Sequence, residues 1–224
     1  MLDLICATRL TAHDFWTRSA LGQSLRRLAY DHRLKPQIAF ENRRGLPAVY
    51  NERIAAPDAE PLLMFIHDDV WLDDHFFVEH TTAALEAADV IGVAGNRRRV
   101  PGQPSWAFPT PRLEWDDSAH LSGTVGHAQH PFGTLAHFGP TPAPCELLDG
   151  VLLAARRDLL REKQLRFDER FDFHFYDMDF CRSARQAGLR LTTWPIAITH
   201  QSKGNAGSAD WRRNYDAYLA KWTD

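Results

Sequence analysis

One apolar run constrains the fold of this chain more than any other segment. Residues 62–66 read Leu-Leu-Met-Phe-Ile and are followed at once by His67, Asp68 and Asp69. An apolar run of this length, bounded by charge, is typical of a buried strand in a parallel sheet. Open α/β sheets bind their ligands at the carboxyl ends of such strands. Two adjacent carboxylates at that place suit a hard divalent cation, which proteins commonly share with the phosphates of a substrate.

The segments around this run alternate between strand-like and helix-like patterns. Candidate strands cover residues 2–8, 36–40, 62–67 and 90–94, and amphipathic helical patterns lie between them over residues 14–32, 46–56 and 73–88. Such alternation predicts a parallel sheet with right-handed crossovers. We therefore expect a single α/β domain over residues 1–224, in which helices flank a mostly parallel central sheet.

The pattern breaks over residues 97–146, which are rich in Pro and Gly and contain four histidines and the aromatic residues Trp106 and Trp115. A segment of this length with weak periodicity usually indicates a functional insertion, and we predict an irregular loop there. The periodic patterns then resume. They predict strands over residues 147–155 and 190–199 and helices over residues 156–163, 177–187 and 209–222.

Composition excludes several classes of protein. A net charge of −3, with 44% hydrophobic and 25% charged residues, is ordinary for a globular chain of 224 residues. No basic stripe indicates a nucleic-acid partner. The three cysteines lie far apart and show no CxxC spacing, which favours a reduced cytosolic chain over a disulfide framework or a structural zinc site.

The amino-terminal segment and the overall hydropathy bear on location. Residues 1–6 have neither a basic region nor a long apolar region, so we expect no signal peptide. No run of about 18 apolar residues is present, so we expect no transmembrane helix. These features predict a cytoplasmic protein, and any membrane association would be peripheral, at the inner face.

A second group of acids opens the helix predicted for residues 177–187. Asp177 and Asp179 fall near its start, where the helix dipole stabilises negative charge, and this structural interpretation is sufficient by itself. The functional alternative is a general base. A carboxylate in a partly closed pocket near another acid has its pKa raised toward the useful range. The residues alone leave both interpretations open.

Further candidates follow or interrupt the predicted strands. His200 comes after the last strand and is either structural or a metal ligand, since neutral imidazole binds Mn²⁺-class ions. Lys203 lies in the stretch 202–207, which is either a connector or a lid over a diphosphate. Asp149 and Gly150 interrupt an apolar run, where glycine indicates a bulge or a close approach of the backbone to a ligand.

Taken together, these segments resemble the family 2 glycosyltransferases of the GT-A type. The resemblance lies in the order and spacing of several short motifs and covers most of residues 1–204. Residues 65–70 resemble the DxD segment of that family, and residues 148–156 resemble its acceptor-side strand with an Asp-Gly pair. The other matches are residues 42–51, 167–171, 176–181, 186–188 and 195–200. The resemblance implies a Rossmann-like GT-A domain with an irregular insertion and a carboxyl-terminal helix.

The resemblance also implies roles for single residues. Asp69 would bind a divalent cation, Mn²⁺ or Mg²⁺, with His200 as the second protein ligand. Asp177 would be the catalytic base. The contacts to the nucleotide-sugar would come from His67, Asp68, Asn42 and Lys203, and the acceptor side would be formed by Asp149, Gly150 and Tyr176.

The implied activity is that of an inverting, metal-dependent transferase of hexosyltransferase type. Such an enzyme moves a sugar from a nucleotide-diphosphate sugar to a hydroxyl of a glycan or glycoconjugate, as in polysaccharide biosynthesis. Residues 1–96 would form the nucleotide-sugar-binding half, and residues 147–224 the acceptor and catalytic half with its lid and final helix. The inserted residues 97–146 would select the acceptor, because inserted loops carry specificity and aromatic faces suit sugar rings.

Two positions depart from the family pattern. His67 stands where the first acid of the DxD segment is usual, and Tyr176 stands where a glutamate commonly precedes the base. These departures motivate an alternative, a non-catalytic GT-A-like module that binds sugar nucleotides. A metal-dependent nucleotidyltransferase is a third candidate, but it would normally need a Gly-rich phosphate loop after the first strand. Residues 8–11 supply no such loop.

Overall fold

The computed structural model describes residues 1–202, 204 and 206–223, and within these the chain forms thirteen strands and seven helices. The helices are α1 (Ala12–Arg18), α2 (Ala20–Arg27), α3 (Leu46–Ala55), α4 (Phe77–Ala87), α5 (Arg157–Glu162), α6 (Tyr176–Gln186) and α7 (Ala209–Lys221). The strands are β1 (Leu2–Ala7), β2 (Leu34–Ala39), β3 (Leu62–Ile66), β4 (Val70–Leu72), β5 (Val90–Gly92), β6 (Ala94–Asn96), β7 (Leu121–His127), β8 (Thr134–Gly139), β9 (Ala143–Cys145), β10 (Leu147–Leu148), β11 (Leu152–Arg156), β12 (Leu191–Thr193) and β13 (Ile198–His200).

The strands form two sheets. The first has the order β2-β1-β3-β11-β5-β12-β9, and the second has the order β10-β6-β7-β13-β4 with β8 paired to β7. In the first sheet β1 is parallel to β2 and β3, and β12 is parallel to β5, whereas β11 runs antiparallel to both β3 and β5. The α/β class is therefore confirmed, but the sheets are mixed rather than mostly parallel. The difference is due to β11, which lies antiparallel between β3 and β5. Sequence patterns alone would have paired β3 directly with β5.

The strand β3 lies at the centre of this arrangement. It pairs with β1 on one side, with Ile5 opposite Phe65, and with β11 on the other, with Leu152 opposite Ile66. Its side chains are buried on both faces, which explains why its sequence is continuously apolar. The chain then crosses from the first sheet into the second, because β4 pairs with β13. Residues 67–69 occupy this crossing and therefore lie where the two sheets meet.

Several predicted elements are interrupted in the structure. The helix expected over residues 14–32 is divided at Ser19, whose extended backbone ends α1 and whose hydroxyl accepts a hydrogen bond from Gly22 N–H to cap α2. The strand expected over residues 147–155 is broken by a turn at residues 149–151, and the strand over 190–199 is broken around Pro195. In each place a polar cap, a glycine or a proline ends the regular hydrogen bonding.

The predicted insertion is only partly irregular. Residues 97–120, all of which the structure describes, contain no helix or strand, but residues 121–145 form β7, β8 and β9. Gly123 explains why β7 is hard to recognise. It has a positive φ of 109°, and a Cβ there would lie 2.1 Å from the carbonyl oxygen of Val93. Among the described residues no helix is long and apolar enough to cross a membrane.

Candidate active site

A cleft of about 700 Å³ opens where the two sheets meet. Its lining includes the residues that follow β3, the turn between β10 and β11, the start of α6 and the end of β13. Eight of the ten site residues predicted from the sequence line it, namely His67, Asp68, Asp69, Asp149, Gly150, Tyr176, Asp177 and His200. Clefts at the carboxyl ends of buried strands are the usual ligand sites of α/β sheets.

Three of these residues form a group that we call the His-Asp-His cluster. His67, Asp69 and His200 each offer one ligand atom, and the three atoms lie within 4.8 Å of one another. Nε2 of His200 is 3.2 Å from Oδ1 of Asp69. The cluster depends on the crossing between the sheets, because β3 delivers His67 and Asp69 while β13, which pairs with β4, delivers His200.

The electrostatics of the His-Asp-His cluster fit a divalent cation. Burial raises the pKa of Asp69, but the close imidazole of His200 outweighs it and lowers the pKa to about 2, so Asp69 is ionised. Burial lowers the pKa of His67 and so favours its neutral form. Burial also lowers the pKa of His200, but the carboxylate of Asp69 outweighs it and raises this pKa. Oδ1 of Asp69 is buried, and its close neighbour is Nε2 of His200. An ionised carboxylate beside two imidazoles is a suitable set of ligands for such a cation.

The three other residues predicted to contact the nucleotide-sugar are Asp68, Asn42 and Lys203. Asp68 lines the cleft, and its Oδ2 accepts a hydrogen bond of 2.6 Å from the hydroxyl of Thr8, just after β1. Asn42 lies outside the lining that the described residues form, and its amide donates to the carbonyl of Arg44. Asn42 therefore stabilises its own turn, and a nucleotide contact would require it to leave that bond. Lys203 lies outside the described residues.

Asp177 occupies the first turn of α6 at the edge of the cleft. Its Oδ2 accepts a hydrogen bond of 3.0 Å from Gly150 N–H. Enclosure by the protein raises the pKa of Asp177 to about 7, and the negative charge of Asp149 adds to this effect. Part of the side chain remains accessible from the cleft. Asp177 is therefore a carboxylate that can exchange a proton near neutral pH.

A strained backbone conformation at Phe175 helps to fix the start of α6 and therefore the position of Asp177. Phe175, the residue before α6, is buried and has a positive φ of 67°, which is unfavourable for a residue with a side chain. Its ring stacks on that of Tyr215 from α7, with the ring centroids 5.5 Å apart. Because the surrounding aromatic residues hold Phe175 in this conformation, the first turn of α6 enters the cleft at a defined angle.

Tyr176 connects the two sides of the site. Its hydroxyl donates a 2.7 Å hydrogen bond to the carbonyl of Gly150 and lies 2.9 Å from Nε2 of His67. The two positions that depart from the resembled pattern are therefore in contact. The close backbone approach predicted at Gly150 is made by the protein itself, because a Cβ there would lie 2.5 Å from the Tyr176 hydroxyl.

The structure also places residues in the cleft that had no individual role in the sequence prediction. His127 falls in the segment predicted to be an irregular loop, but it belongs to β7, and its ring centroid is 6.4 Å from that of His200. Trp106, Phe108, Trp115 and Phe138 also line the cleft. The rings of Trp115 and Phe138 are stacked at 5.4 Å with an interplanar angle of 15°. The sequence of β7 contains polar residues and two glycines, so it lacks the apolar pattern of a strand and was not predicted. The aromatic residues of the insertion were evident from the sequence.

The amino-acid sequence of this chain matches the model of one protein family. The model of the family described as Glycosyltransferase like family matches residues 24–217, which is most of the chain. The chain belongs to this glycosyltransferase-like family. No curated protein sequence matches it. The expected resemblance to family 2 glycosyltransferases is thereby confirmed.

Solved structures place this glycosyltransferase-like protein in the GT-A fold. The catalytic domain of Drosophila β1,4-galactosyltransferase 7 in complex with xylobiose has a TM-score of 0.54 at 11% identity, over 96% of this chain and 79% of that one. GalNAc-T7 with UDP, GalNAc and Mn²⁺ has a TM-score of 0.54 at 13% identity, over all of this chain and 48% of that one. Staphylococcus aureus TarS 1–349 has a TM-score of 0.50 at 14% identity, over 89% of this chain and 60% of that one. Similarity at these identities concerns the fold alone.

Proposed function

We propose that this glycosyltransferase is an inverting, divalent-cation-dependent enzyme. It would move a hexosyl group from a nucleotide-diphosphate sugar to a hydroxyl of a glycan or glycoconjugate. The observation that supports this best is the content of one cleft: a group of cation ligands and, beside it, a carboxylate with a pKa near 7. In an inverting transfer, a cation can neutralise the diphosphate leaving group and a base can take the proton of the acceptor hydroxyl.

The donor side is formed by the residues that follow β3. Asp69 and His200 would hold Mn²⁺ or Mg²⁺, which when bound neutralises the charge of a diphosphate leaving group. GalNAc-T7, which shares the fold, was solved with UDP and Mn²⁺. Asp68, fixed by Thr8, would bind a ribose hydroxyl of the donor next to the cation. We assign donor binding to residues 1–96 and acceptor binding and catalysis to residues 147–224.

The acceptor side depends on Asp177. As the acceptor oxygen forms a bond to the anomeric carbon, the bond from that carbon to the diphosphate oxygen breaks on the opposite face. Asp177 would take the proton that the acceptor oxygen loses, and a pKa near 7 suits a base that works at neutral pH. Asp149 and Gly150 would form the adjacent wall of the acceptor pocket.

A panel of sugar donors tests the proposal. UDP-glucose, UDP-galactose, UDP-N-acetylglucosamine, UDP-N-acetylgalactosamine and GDP-mannose would each be incubated with the protein, simple glycoside acceptors and Mn²⁺ or Mg²⁺. We expect cation-dependent release of the nucleoside diphosphate from at least one donor. Proton NMR should then find the product with the anomeric configuration opposite to that of the donor.

The same panel separates the alternatives. A non-catalytic module, motivated by His67 and Tyr176, would bind a donor in calorimetry and release no nucleotide. A nucleotidyltransferase would break the bond between the two phosphates, transfer the nucleoside monophosphate to an acceptor or to water, and release a sugar 1-phosphate. A product with the donor's own anomeric configuration would contradict the inverting mechanism.

A further inference from the structure

The hydrogen bonds around Tyr176 determine which nitrogen of His67 carries a proton. A tyrosine hydroxyl has one proton to donate, and a carbonyl oxygen can only accept. The hydroxyl of Tyr176 lies 2.7 Å from the carbonyl oxygen of Gly150, so its proton is committed there. Its oxygen lies 2.9 Å from Nε2 of His67 and must therefore accept a hydrogen bond from that nitrogen. His67 is accordingly protonated on Nε2.

This protonation leaves a free lone pair on Nδ1. A neutral imidazole has one N–H and one unprotonated nitrogen. Histidines that bind metals almost always donate the N–H of their other nitrogen to an oxygen, which fixes the tautomer and the ring orientation. The bond from His67 to Tyr176 is of this kind, and the hydroxyl that accepts it is buried.

Two further contacts limit the orientation of the His67 ring. Phe173 stacks on it, with ring centroids 5.5 Å apart and an interplanar angle of 26°. The ring of His200 lies 6.1 Å away on the side of the cleft. The ring is thus held between Phe173 and Tyr176, beside the ring of His200. Asp69 belongs to the same cluster.

We propose that His67 is a third ligand of the catalytic cation, binding through Nδ1, and that Tyr176 is the positioning residue that fixes its tautomer. The proposal rests on the cation dependence in the proposed function and adds the identity of the ion. Two imidazoles and one carboxylate suit Mn²⁺, Co²⁺ and Zn²⁺, whereas Mg²⁺ prefers oxygen ligands and retains its waters. The site is therefore selective for transition-metal ions over Mg²⁺.

The first test measures the affinities of the full chain for Mg²⁺, Mn²⁺, Co²⁺ and Zn²⁺ by titration calorimetry, without any sugar donor. The variant His67→Asp replaces an imidazole by a carboxylate, and we expect the ratio of Co²⁺ to Mg²⁺ affinity to fall at least tenfold. Tyr176→Phe keeps His67 but removes its acceptor, and we expect Co²⁺ to bind about 10–100-fold more weakly. An unchanged Co²⁺ to Mg²⁺ ratio in His67→Asp would overturn the proposal.

Tyr50→Phe is the matched control. Tyr50 is also fully buried and its ring centroid is 5.9 Å from that of Tyr176; its hydroxyl interacts with the hydroxyl of Tyr176 but is bonded to neither His67 nor Gly150. Removing this hydroxyl leaves the bonds from His67 to Tyr176 and from Tyr176 to Gly150 in place. We expect normal Co²⁺ affinity in this variant, and a loss equal to that of Tyr176→Phe would indicate a general effect of buried hydroxyls and overturn the role of Tyr176.

The second test observes the tautomer of His67 in the unmodified protein and uses a variant only to assign the signals. Long-range ¹H–¹⁵N spectra of ¹⁵N-histidine-labelled protein report which imidazole nitrogen carries a proton, and His67→Asp identifies the His67 signals. We expect Nε2 to be protonated without metal and to remain so, while the Nδ1 resonance shifts when Zn²⁺ is added. A Zn²⁺-induced loss of the proton from Nε2 would contradict the proposal.

Failure of this proposal can be separated from failure of the proposed function. If Asp69→Ala and His200→Ala abolish Co²⁺ binding while His67→Asp leaves the ion preference unchanged, the cation site stands and His67 is not a ligand. If none of the four ions binds to the unmodified protein without a donor, the third ligand is wrong, and the donor panel alone decides whether transfer depends on a cation.

Discussion

At the scale of single residues, Asp177 combines the two properties that a general base requires. It is accessible from the cleft, and its pKa is raised to about 7, first by burial and then by the charge of Asp149. Only the ionised form accepts a proton, so the activity should rise as the pH increases through about 7. Asp177→Asn keeps the shape and should reduce turnover by about 10²–10⁴-fold. Donor affinity, measured by calorimetry, should be unchanged; near-normal turnover would contradict the assignment.

Asp149 provides a second, independent test of the same carboxylate. Its negative charge contributes to the raised pKa of Asp177, while its Oδ1 accepts a hydrogen bond from Val151 N–H that an asparagine would preserve. In Asp149→Asn the pKa of Asp177 should therefore fall, and the rising limb of the pH–rate profile should move to lower pH. A profile that stays in place would show that the titration belongs to another group.

Gly150 is required by contacts rather than by backbone conformation. An added Cβ would lie 2.5 Å from the hydroxyl of Tyr176 and 2.9 Å from Cβ of Asp177. Gly150→Ala should cost about 1–3 kcal/mol of unfolding free energy through overpacking, and it should also displace the base and lower turnover. Thermal unfolding and the transfer assay measure the two effects.

Gly188 is the matched control for this change. It follows α6 with a positive φ of 82°, and no described atom lies within 4 Å of an added Cβ. Gly188→Ala should cost about 1–2 kcal/mol because of the left-handed backbone, while turnover at a temperature well below unfolding stays normal. Equal losses of turnover in both variants would mean that Gly150 acts only through stability.

At the scale of elements, α7 is fastened to α6 by a buried ion pair. The carboxylate of Asp179 is buried, and its Oδ1 lies 2.6 Å from Nζ of Lys221 and 2.8 Å from Nε1 of Trp222. Burial raises the pKa of Asp179, and the charge of Lys221 opposes that effect. The acid that the sequence placed beside Asp177 in the first turn of α6 thus has a structural role that the sequence could not reveal.

Removing Lys221 tests this fastening. Lys221→Met should lower the unfolding free energy by about 2–4 kcal/mol, because it leaves the buried carboxylate of Asp179 without its charged partner and also breaks the pair of Lys221 with Asp168. Lys163→Met is the control, since Lys163 makes a surface pair with Glu162 at 3.1 Å, and it should change stability by less than about 0.5 kcal/mol. Urea unfolding measures both, and the double variant Asp179→Asn with Lys221→Met should recover part of the loss. Equal stabilities of Lys221→Met and Lys163→Met would contradict the buried pair.

The elements that were predictable are those with a strong local signal. The strand β3 and the helices α3 and α6 follow directly from apolar runs and amphipathic spacing, and Gly188 has the positive φ expected after a helix. The reversed direction of β11 was not predictable, because strand partners depend on how distant segments meet. The division of the first predicted helix at Ser19 was missed. A serine within an amphipathic pattern can continue a helix or cap a new one, and the local sequence does not distinguish the two.

At the scale of the whole molecule, the site is assembled from four distant parts of the chain, one of which is the start of α6. The crossing after β3, the turn before β11 and the end of β13 meet only because β3 and β11 share one sheet while β4 and β13 share the other. Local chemistry and the order of motifs were sufficient to select Asp69, Asp177 and His200. The contact between His67 and Tyr176 joins residues that are 109 positions apart, and no local pattern encodes it.

The inserted segment completes the cleft with an aromatic wall. Trp115 is 57% exposed although it stacks on Phe138, so a large part of its ring faces outward where a ligand can pack against it. Trp115→Ala should raise the KM of the acceptor about tenfold, equivalent to about 1.4 kcal/mol, while the donor Kd is unchanged. Steady-state kinetics with varied acceptor and calorimetry with the donor measure these quantities.

Leu135, a second apolar residue of the inserted segment, provides the control for Trp115→Ala. Leu135 is 71% exposed on β8 but lies outside the cleft lining formed by the described residues. Leu135→Ala removes a similarly exposed apolar side chain and should leave the acceptor KM unchanged. An acceptor that stacks on Trp115 must therefore distinguish the two variants, whereas an acceptor bound only beside Asp149 and Asp177 would respond to neither. In that second case residues 97–146 would complete the fold without selecting the substrate.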